Sequence, residues 1–483
     1  MAAQMITWVC GLAVFIFVPR FLGSDAYGRV YLAISFQMIL GSIIDFGGNS
    51  LITKHISRDR TRASETMSEA ISLRLILWVA SLFIAAATGI SAHYPLTELL
   101  LIMILAVSNL WVELTLLMRY CYLGFEDVKY PSIGAVAERG FLALSVIPAL
   151  FMGAKELTVI LLIAASGLVS FMVSARHARE MFHLTFSAHL KTVVKSLKEG
   201  LPYFLWAIFG IIYFRIDAVL LSLMVPDAVV GWYGAAYRFF DIVMFIPSIL
   251  GQALYPIISK LSQTAGGAMI SATQRSLKFL LLASIPIAVG FIYFSKPVVA
   301  LLLGLNQFGP SVVILQLFSV GTVLVYMDFA LGNAVQAIDR QKQWAFVGFF
   351  AMALNIVLNL LLIRYFQTRF NNGGIGAAVA TDITELAVLL SAVYLLPREL
   401  FSAAFLRVAA KALVSGGLMA LAITFGYRLG IPWPATSGIG LLTYAVSLFL
   451  LRTFDDRELE LMGKAATLTK LRLVPFKRTG ISQ

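Results

Sequence analysis

Charge and cysteine are both scarce in this chain. Only 13% of its 483 residues are charged, and the two cysteines are Cys10 and Cys121. Two thiols in or beside apolar segments offer no disulfide framework and no metal-ligand spacing. The five histidines (His55, His93, His177, His183 and His189) never fall at the i, i+4 spacing of a zinc helix and read as loop residues. No Gly-x-x-x-x-Gly-Lys-Ser/Thr loop occurs, so any energy must come from an ion gradient, a membrane potential or substrate supply. Polar stretches between apolar runs are too short to fold as catalytic domains. A cleavable signal is not expected either. The first apolar segment begins almost at Met1, lacks a basic n-region and runs into a second one, so the start reads as short.

What the chain does have is apolar length. Hydrophobic residues make up 60% of it, more than a soluble domain can bury, so the class is an all-α, polytopic membrane protein. Runs of about 20 apolar residues cross a bilayer as helices. Fourteen are expected, near 4–22, 27–48, 71–91, 97–119, 131–152, 157–178, 201–223, 230–256, 277–296, 311–336, 343–364, 374–396, 404–427 and 432–451. Residues 297–304 are too short to span and are expected at an interface.

The net charge of +12 could suggest nucleic acid. The basic residues instead interrupt the apolar spans at intervals, which is topology information. Of the 37 lysines and arginines, 27 fall in loops after even-numbered spans or in the C-terminal tail, with Arg74 counted among them, and 7 fall on the opposite side. Both termini are therefore expected in the cytoplasm. Arg139, Arg215 and Arg238 lie inside spans. In the tail, Leu459, Met462, Ala465 and Ala466 fall near one helical face. A surface-lying helix or a polybasic, lipid-facing tail is the expectation, with membrane lipid as its partner.

The chain also repeats itself. At an offset of 202 residues Asp25 meets Asp227, Ala26 meets Ala228, Tyr31 meets Tyr233 and Ala33 meets Ala235. Further on, Glu126 parallels Asp339 and Lys129 parallels Lys342. Two six-helix halves of the same orientation follow, related by an axis along the membrane normal. The expected organisation is a lobe over 1–180, a second lobe over 200–397, two added helices over 398–452 and a basic tail over 453–483.

The run Arg20-Phe21-Leu22-Gly23-Ser24-Asp25-Ala26-Tyr27-Gly28, followed by Asp45-Phe46-Gly47, resembles the start of the polysaccharide-transport flippases. These include the O-antigen flippases and belong to the multidrug/oligosaccharidyl-lipid/polysaccharide exporter superfamily. Asp217-Ala218-Val219-Leu220-Leu221, Val230 to Arg238 and Pro256-Ile257-Ile258-Ser259 resemble that family's second-half opening. The resemblance covers the first twelve spans. It implies a V-shaped bundle with a central cavity in a bacterial inner membrane. Its cargo would be an undecaprenyl-diphosphate-linked glycan moved by alternating access, with a polysaccharide polymerase and a chain-length regulator as working partners. It implies no enzyme, no cofactor and no nucleic acid.

Candidate site residues come from the polar positions inside spans, which are costly in lipid and so ask for a reason. One face of the second span carries Tyr31, Ser35, Met38, Ser42, Asp45 and Asn49. One face of the eighth carries Tyr233, Tyr237, Asp241, Met244, Ser248, Gly251 and Tyr255, and one face of the seventh carries Tyr203, Trp206, Gly210, Tyr213 and Asp217. Such stripes either pack helix on helix or line a wet cavity. Arg238 and Asp241 can pair within a helix, while Asp217 and Arg238 are expected to pair across the hairpin. Arg215 then remains without a local partner, and either arginine could take a diphosphate in its planar fork. Glu113 and Arg139 read as an ion pair, with Glu138 adjacent; Asp328 reads as isolated. Asp382 and Glu385 share a face with no local cation. Two such carboxylates cannot easily both carry charge, which points to proton or sodium coupling there. Pro148, Pro247 and Pro286 are expected to kink their spans.

Three functions fit these readings. A flippase for lipid-linked oligosaccharide fits the repeat, the topology and the arginines. A cation-coupled multidrug exporter would favour an acidic cavity. A membrane glycan polymerase or glycosyltransferase would need a large outside loop or an acidic metal motif.

Overall fold

A computed structural model describes residues 2–181, 190–264, 266–455, 458 and 460, and among these the chain is helical with no strand. The helices are α1 (Ala2–Asp45), α2 (Gly48–Arg58), α3 (Ala63–Ser91), α4 (Leu96–Gly124), α5 (Lys129–Phe151), α6 (Glu156–Met181), α7 (Leu190–Met224) and α8 (Asp227–Val243). They continue as α9 (Phe245–Thr264), α10 (Gly266–Leu302), α11 (Leu305–Phe308), α12 (Ser311–Ala337), α13 (Gln341–Phe370), α14 (Gly373–Leu395), α15 (Ala403–Arg428) and α16 (Trp433–Leu450). The tail positions Leu459, Met462, Ala465 and Ala466 lie outside the described residues.

Thirteen segments are long and apolar enough to cross a membrane, with α8 and α9 together forming one of them. The first, α1, holds two of the expected spans. A straight helix of 44 residues would be about 66 Å long, twice a hydrocarbon core. Gly23 breaks it, at φ 78° and ψ 174°, a conformation that suits glycine. Both flanks of the break meet the same end of the bundle: Arg20 donates to the carbonyl of Leu301, and Arg29 reaches Glu156 and Asp227. That end is the far end below; the other, where most lysines and arginines fall, is the basic end. Residues 297–304 form no span of their own: 297–302 continue α10 through Pro297 to its end at Leu302.

Proline positions explain how the later helices dock. A proline inside a helix leaves the carbonyl four residues earlier without its donor, and in a membrane that oxygen must be satisfied by the protein. Pro247 frees the carbonyl of Val243, the last residue of α8, and the Tyr326 hydroxyl donates to it at 2.6 Å. Pro286 frees Leu282, which accepts from the Tyr444 hydroxyl at 2.9 Å. Pro297 frees Tyr293, which Tyr427 reaches at 3.4 Å. The last two tyrosines lie on α16 and α15, so this pair of helices is pinned to α10 where α10 lacks its own hydrogen bonds. Pro148 sits in the last turn of α5.

Two features carry the internal repeat into three dimensions. Glu126 and Asp339, paired by the sequence echo, both take positive φ, 65° and 59°, just past the ends of α4 and α12. Each is followed by the same backbone closure, Asp127 N–H to Tyr122 O and Arg340 N–H to Val335 O. The second feature is the crossing of α1 and α8. A Cβ on Gly28 would stand 2.0 Å from the carbonyl oxygen of Asp227, and one on Gly231 would stand 2.0 Å from that of Ser24. Ser24 answers to Asp227 and Gly28 to Gly231, both 203 residues apart, one more than the sequence offset. Only glycine lets two backbones meet this closely.

Candidate substrate cavity

The crossing at Gly28 and Gly231 closes the far end. Arg29 adds an electrostatic clasp, with Nη1 at 2.9 Å from Asp227 Oδ2 and Nη2 at 2.7 Å from Glu156 Oε1. Trp232 Nε1 donates to the Gln307 carbonyl at 2.8 Å, and Ser311 Oγ to the Trp232 carbonyl at 2.9 Å. Below this seal lies a cavity of about 2240 Å³ that reaches Gln4, Asn49, Tyr255 and Trp344 at the basic end.

The two polar stripes are divided by the seal. On the second half of α1, Met38, Ser42 and Asp45 line the cavity, as does Asn49 at the start of α2, whereas Tyr31 and Ser35 are buried. On α8 and α9, Asp241, Ser248, Gly251 and Tyr255 line it, whereas Tyr233 and Tyr237 are buried. Tyr31 and Tyr237, read as substrate contacts, therefore belong to the seam: the Tyr31 ring packs on Gly234, whose missing side chain makes room for it. On α7, Gly210 and Tyr213 line the cavity and Asp217 does not; the Trp206 side chain lies outside the described ones.

The expected Asp217–Arg238 pair does not form. Asp217 is buried and accepts from Tyr233 Oη at 2.6 Å, Asn359 Nδ2 at 2.7 Å and Thr381 Oγ1 at 3.3 Å. Neutral donors from three helices satisfy it, so it needs no arginine. Arg215, without a local partner in the sequence, pairs instead with Asp241 at 3.2 Å and lies 5.3 Å from the centre of the Tyr237 ring. Arg238 stands 3.9 Å from Asp241, beyond hydrogen-bonding distance, and its side chain is 32% exposed against 9% for Arg215. Arg238 lines the cavity and Arg215 does not.

The Glu113–Arg139 pair is also absent. Glu138 takes Arg119 at 2.9 Å, and Arg139 is exposed in the cavity with no ion-pair partner among the described residues. Glu113 lies instead beside Arg74, whose Nη1 donates to the Glu113 carbonyl. Arg74 is 2% exposed in α3 and is no loop residue. Its Nη2 reaches Asp45 Oδ1 at 2.5 Å and Asn49 Oδ1 at 2.7 Å, so these two cavity residues are held by a buried guanidinium. An arginine one turn into a span, beside a basic loop, gives no sequence signal that separates burial from snorkelling.

In the second half, Glu385 accepts from Tyr213 Oη at 2.7 Å. Asp328, read as isolated, lies within hydrogen-bonding reach of Glu385, and neither Asp328 oxygen has a donor other than that carboxyl among the described residues. Asp382 lies against α12, where Gly321 leaves room for its Oδ1. Asp328 and Glu385 line the cavity; Asp382 does not. Among the described residues no group of histidine, cysteine and carboxylate side chains could hold a metal ion.

A helical bundle of this length, sealed at one end around a large cavity of mixed polar and apolar lining, defines a multi-pass membrane protein with a transporter fold. The chain belongs to the polysaccharide biosynthesis protein family, whose model matches residues 1–262. This bears out the family expected from the Arg20–Gly28 and Asp45–Gly47 motifs. It is 25% identical over 295 residues to a Haloferax volcanii protein named "Probable flippase AglR", covering 58% of this chain and 61% of that one. It is 24% identical over 395 residues to "Probable low-salt glycan biosynthesis flippase Agl15" of the same organism, covering 76% of each. The chain thus spans less than two thirds of the first relative's length. Its fold matches the lipid II flippase MurJ in an inward closed conformation, with a TM-score of 0.76 at 16% identity over 93% of this chain and 99% of that one.

Proposed function

We propose that this protein is a flippase for an undecaprenyl-diphosphate-linked oligosaccharide, such as an O-antigen or exopolysaccharide repeat unit, in a bacterial inner membrane. The single observation that carries the reading is Arg238: a cavity-facing guanidinium whose ion-pair partner among the described residues, Asp241, is already engaged by Arg215. Such a cation lacks a full counter-ion until a ligand brings one, and a diphosphate matches its fork. One relative named as a flippase and another named as a glycan biosynthesis flippase support the cargo class. Asp241 would set the position of Arg238. Asp45 and Asn49, fixed by Arg74, would face the glycan. Arg215, Asp217, Tyr31 and Tyr237 would act one layer back, shaping the seam.

By the positive-inside rule the basic end is cytoplasmic, with both termini there, and the cavity opens toward the inner leaflet. Alternating access would part the seam at Gly28 and Gly231 and close the basic end between lobes 1–180 and 200–397. The facing carboxylates Asp328 and Glu385, with Asp382 nearby, would couple the cycle to a proton or sodium ion, since two adjoining buried carboxyl groups cannot easily both carry charge until something neutralises one of them. A polymerase and a chain-length regulator would be its working partners.

The test is reconstitution. Vesicles holding the protein should move a fluorescent undecaprenyl-diphosphate oligosaccharide between leaflets and should not export a cationic dye. Dye export without glycolipid movement would instead support a multidrug exporter.

A further inference from the structure

The walls of the cavity differ chemically toward the basic end. There the charged lining residues come from α1, α4 and α5: Asp45, Glu113, Arg119, Glu138 and Arg139. The facing wall, from α9, the end of α12 and the start of α13, carries Gln252, Tyr255, Asn333, Gln336 and Trp344 and no charge. None of these three carboxamides donates or accepts a side-chain hydrogen bond among the described residues, and neither do the Tyr255 hydroxyl and the Trp344 indole. Three amides on the opposite wall are occupied, Asn49 by Arg74, Asn109 by the Gln37 carbonyl and Gln37 by Ser108; Gln4, near the start of α1, is not.

This wall is also sterically prepared. A Cβ on Gly251 would stand 2.9 Å from Asn333 Nδ2, so the glycine lets the carboxamide lie against α9. A Cβ on Gly332 would stand 2.9 Å from Trp344 Cζ2 and 3.3 Å from its Nε1, so the indole rests on bare backbone next to Asn333. Two glycines thus seat one amide and one aromatic ring side by side.

We infer that Gln252, Asn333 and Gln336, with Trp344 and Tyr255, form a subsite for an uncharged sugar. The inference rests on the flippase reading above and deepens it. A carboxamide offers two donors and a two-lone-pair acceptor, which matches vicinal hydroxyls that both give and take hydrogen bonds. An indole or phenol ring offers an apolar face to the C–H face of a pyranose and a polar edge to its hydroxyls. The absence of charge on this wall suits neutral rings. Gln252 follows Arg238 by fourteen residues, at most about 21 Å along the helix path. A diphosphate held at Arg238 would therefore direct its sugars toward this wall, with rings beyond the first making the contact.

The test uses two soluble probes, farnesyl diphosphate and farnesyl-diphospho-tri-N-acetylchitotriose, titrated calorimetrically against the full-length protein in detergent. Wild-type protein is expected to bind the trisaccharide probe at least tenfold more tightly than farnesyl diphosphate. Gln252→Leu/Gln336→Leu should erase most of that gain and leave farnesyl diphosphate affinity within twofold. Gly332→Ala, which displaces the Trp344 ring, should do the same through a different residue. Wild-type binding of farnesyl diphosphate with no gain from the sugars overturns the subsite alone, as does an equal loss of both probes in the double variant. Failure of the wild type to bind either probe overturns the flippase reading together with the subsite.

Discussion

Asp241 holds Arg215 at 3.2 Å and leaves Arg238 at 3.9 Å. One carboxylate between two guanidiniums can neutralise one of them fully, and geometry gives it to the buried member. The two arginines should therefore respond differently to removal. Arg215→Ala strips a charged partner from Asp241 and should lower stability by about 1.5–3 kcal/mol. Arg238→Ala removes a contact with the Tyr27 side chain and a looser one with Asp241 and should cost less, about 0.5–1.5 kcal/mol. Thermal unfolding in detergent reads both, and the reverse order would refute this division of labour.

The tyrosine–proline pairs predict a coupling. Tyr326→Phe leaves the Val243 carbonyl without a donor and should cost about 1–3 kcal/mol. Pro247→Ala returns a backbone N–H to that oxygen. In the double variant the Tyr326→Phe penalty should shrink to a few tenths of a kcal/mol. Simple addition of the two effects would show that Tyr326 does not act through this carbonyl.

The glycine crossing predicts where the far end yields. Gly28→Ala and Gly231→Ala each place a methyl group 2.0 Å from a backbone oxygen, and α1 and α8 must separate to accept it. Faster hydrogen exchange at residues 24–31 and 227–234 is the expected readout. Gly290→Ala, with nothing within 4 Å of its added carbon, should leave those segments unchanged. Equal protection in all three variants would mean that the crossing does not seal the far end.

Much of this architecture was legible in the sequence because its signals are local. Apolar length marked the spans, and Gly23, between two of them, became the break in α1. The echo of Glu126 in Asp339 was visible as residue type and reappears as a shared left-handed backbone. Partner choice was not legible, because depth and helix rotation decide it. Asp217 looked available to Arg238, yet Tyr233 on that same helix, with Asn359 and Thr381 from two helices distant in sequence, satisfies it first. Arg74 read as a loop cation because charge-counting assigns residues near span ends to loops. The stripes on α1 and α8 signalled polarity on one face, but not that the seam at Gly28 and Gly231 would bury one half of each and open the other.

The most direct measurement of the central claim is the initial rate of glycolipid movement in vesicles holding wild-type, Arg238→Lys or Arg238→Ala protein. Fluorescent undecaprenyl-diphosphate oligosaccharide serves as substrate, at matched amounts of folded protein. If Arg238 receives the diphosphate, Arg238→Ala should lower the rate at least tenfold. Arg238→Lys should fall between, since an ammonium keeps the charge and loses the two-pronged geometry. Wild-type rates in Arg238→Ala would contradict the account.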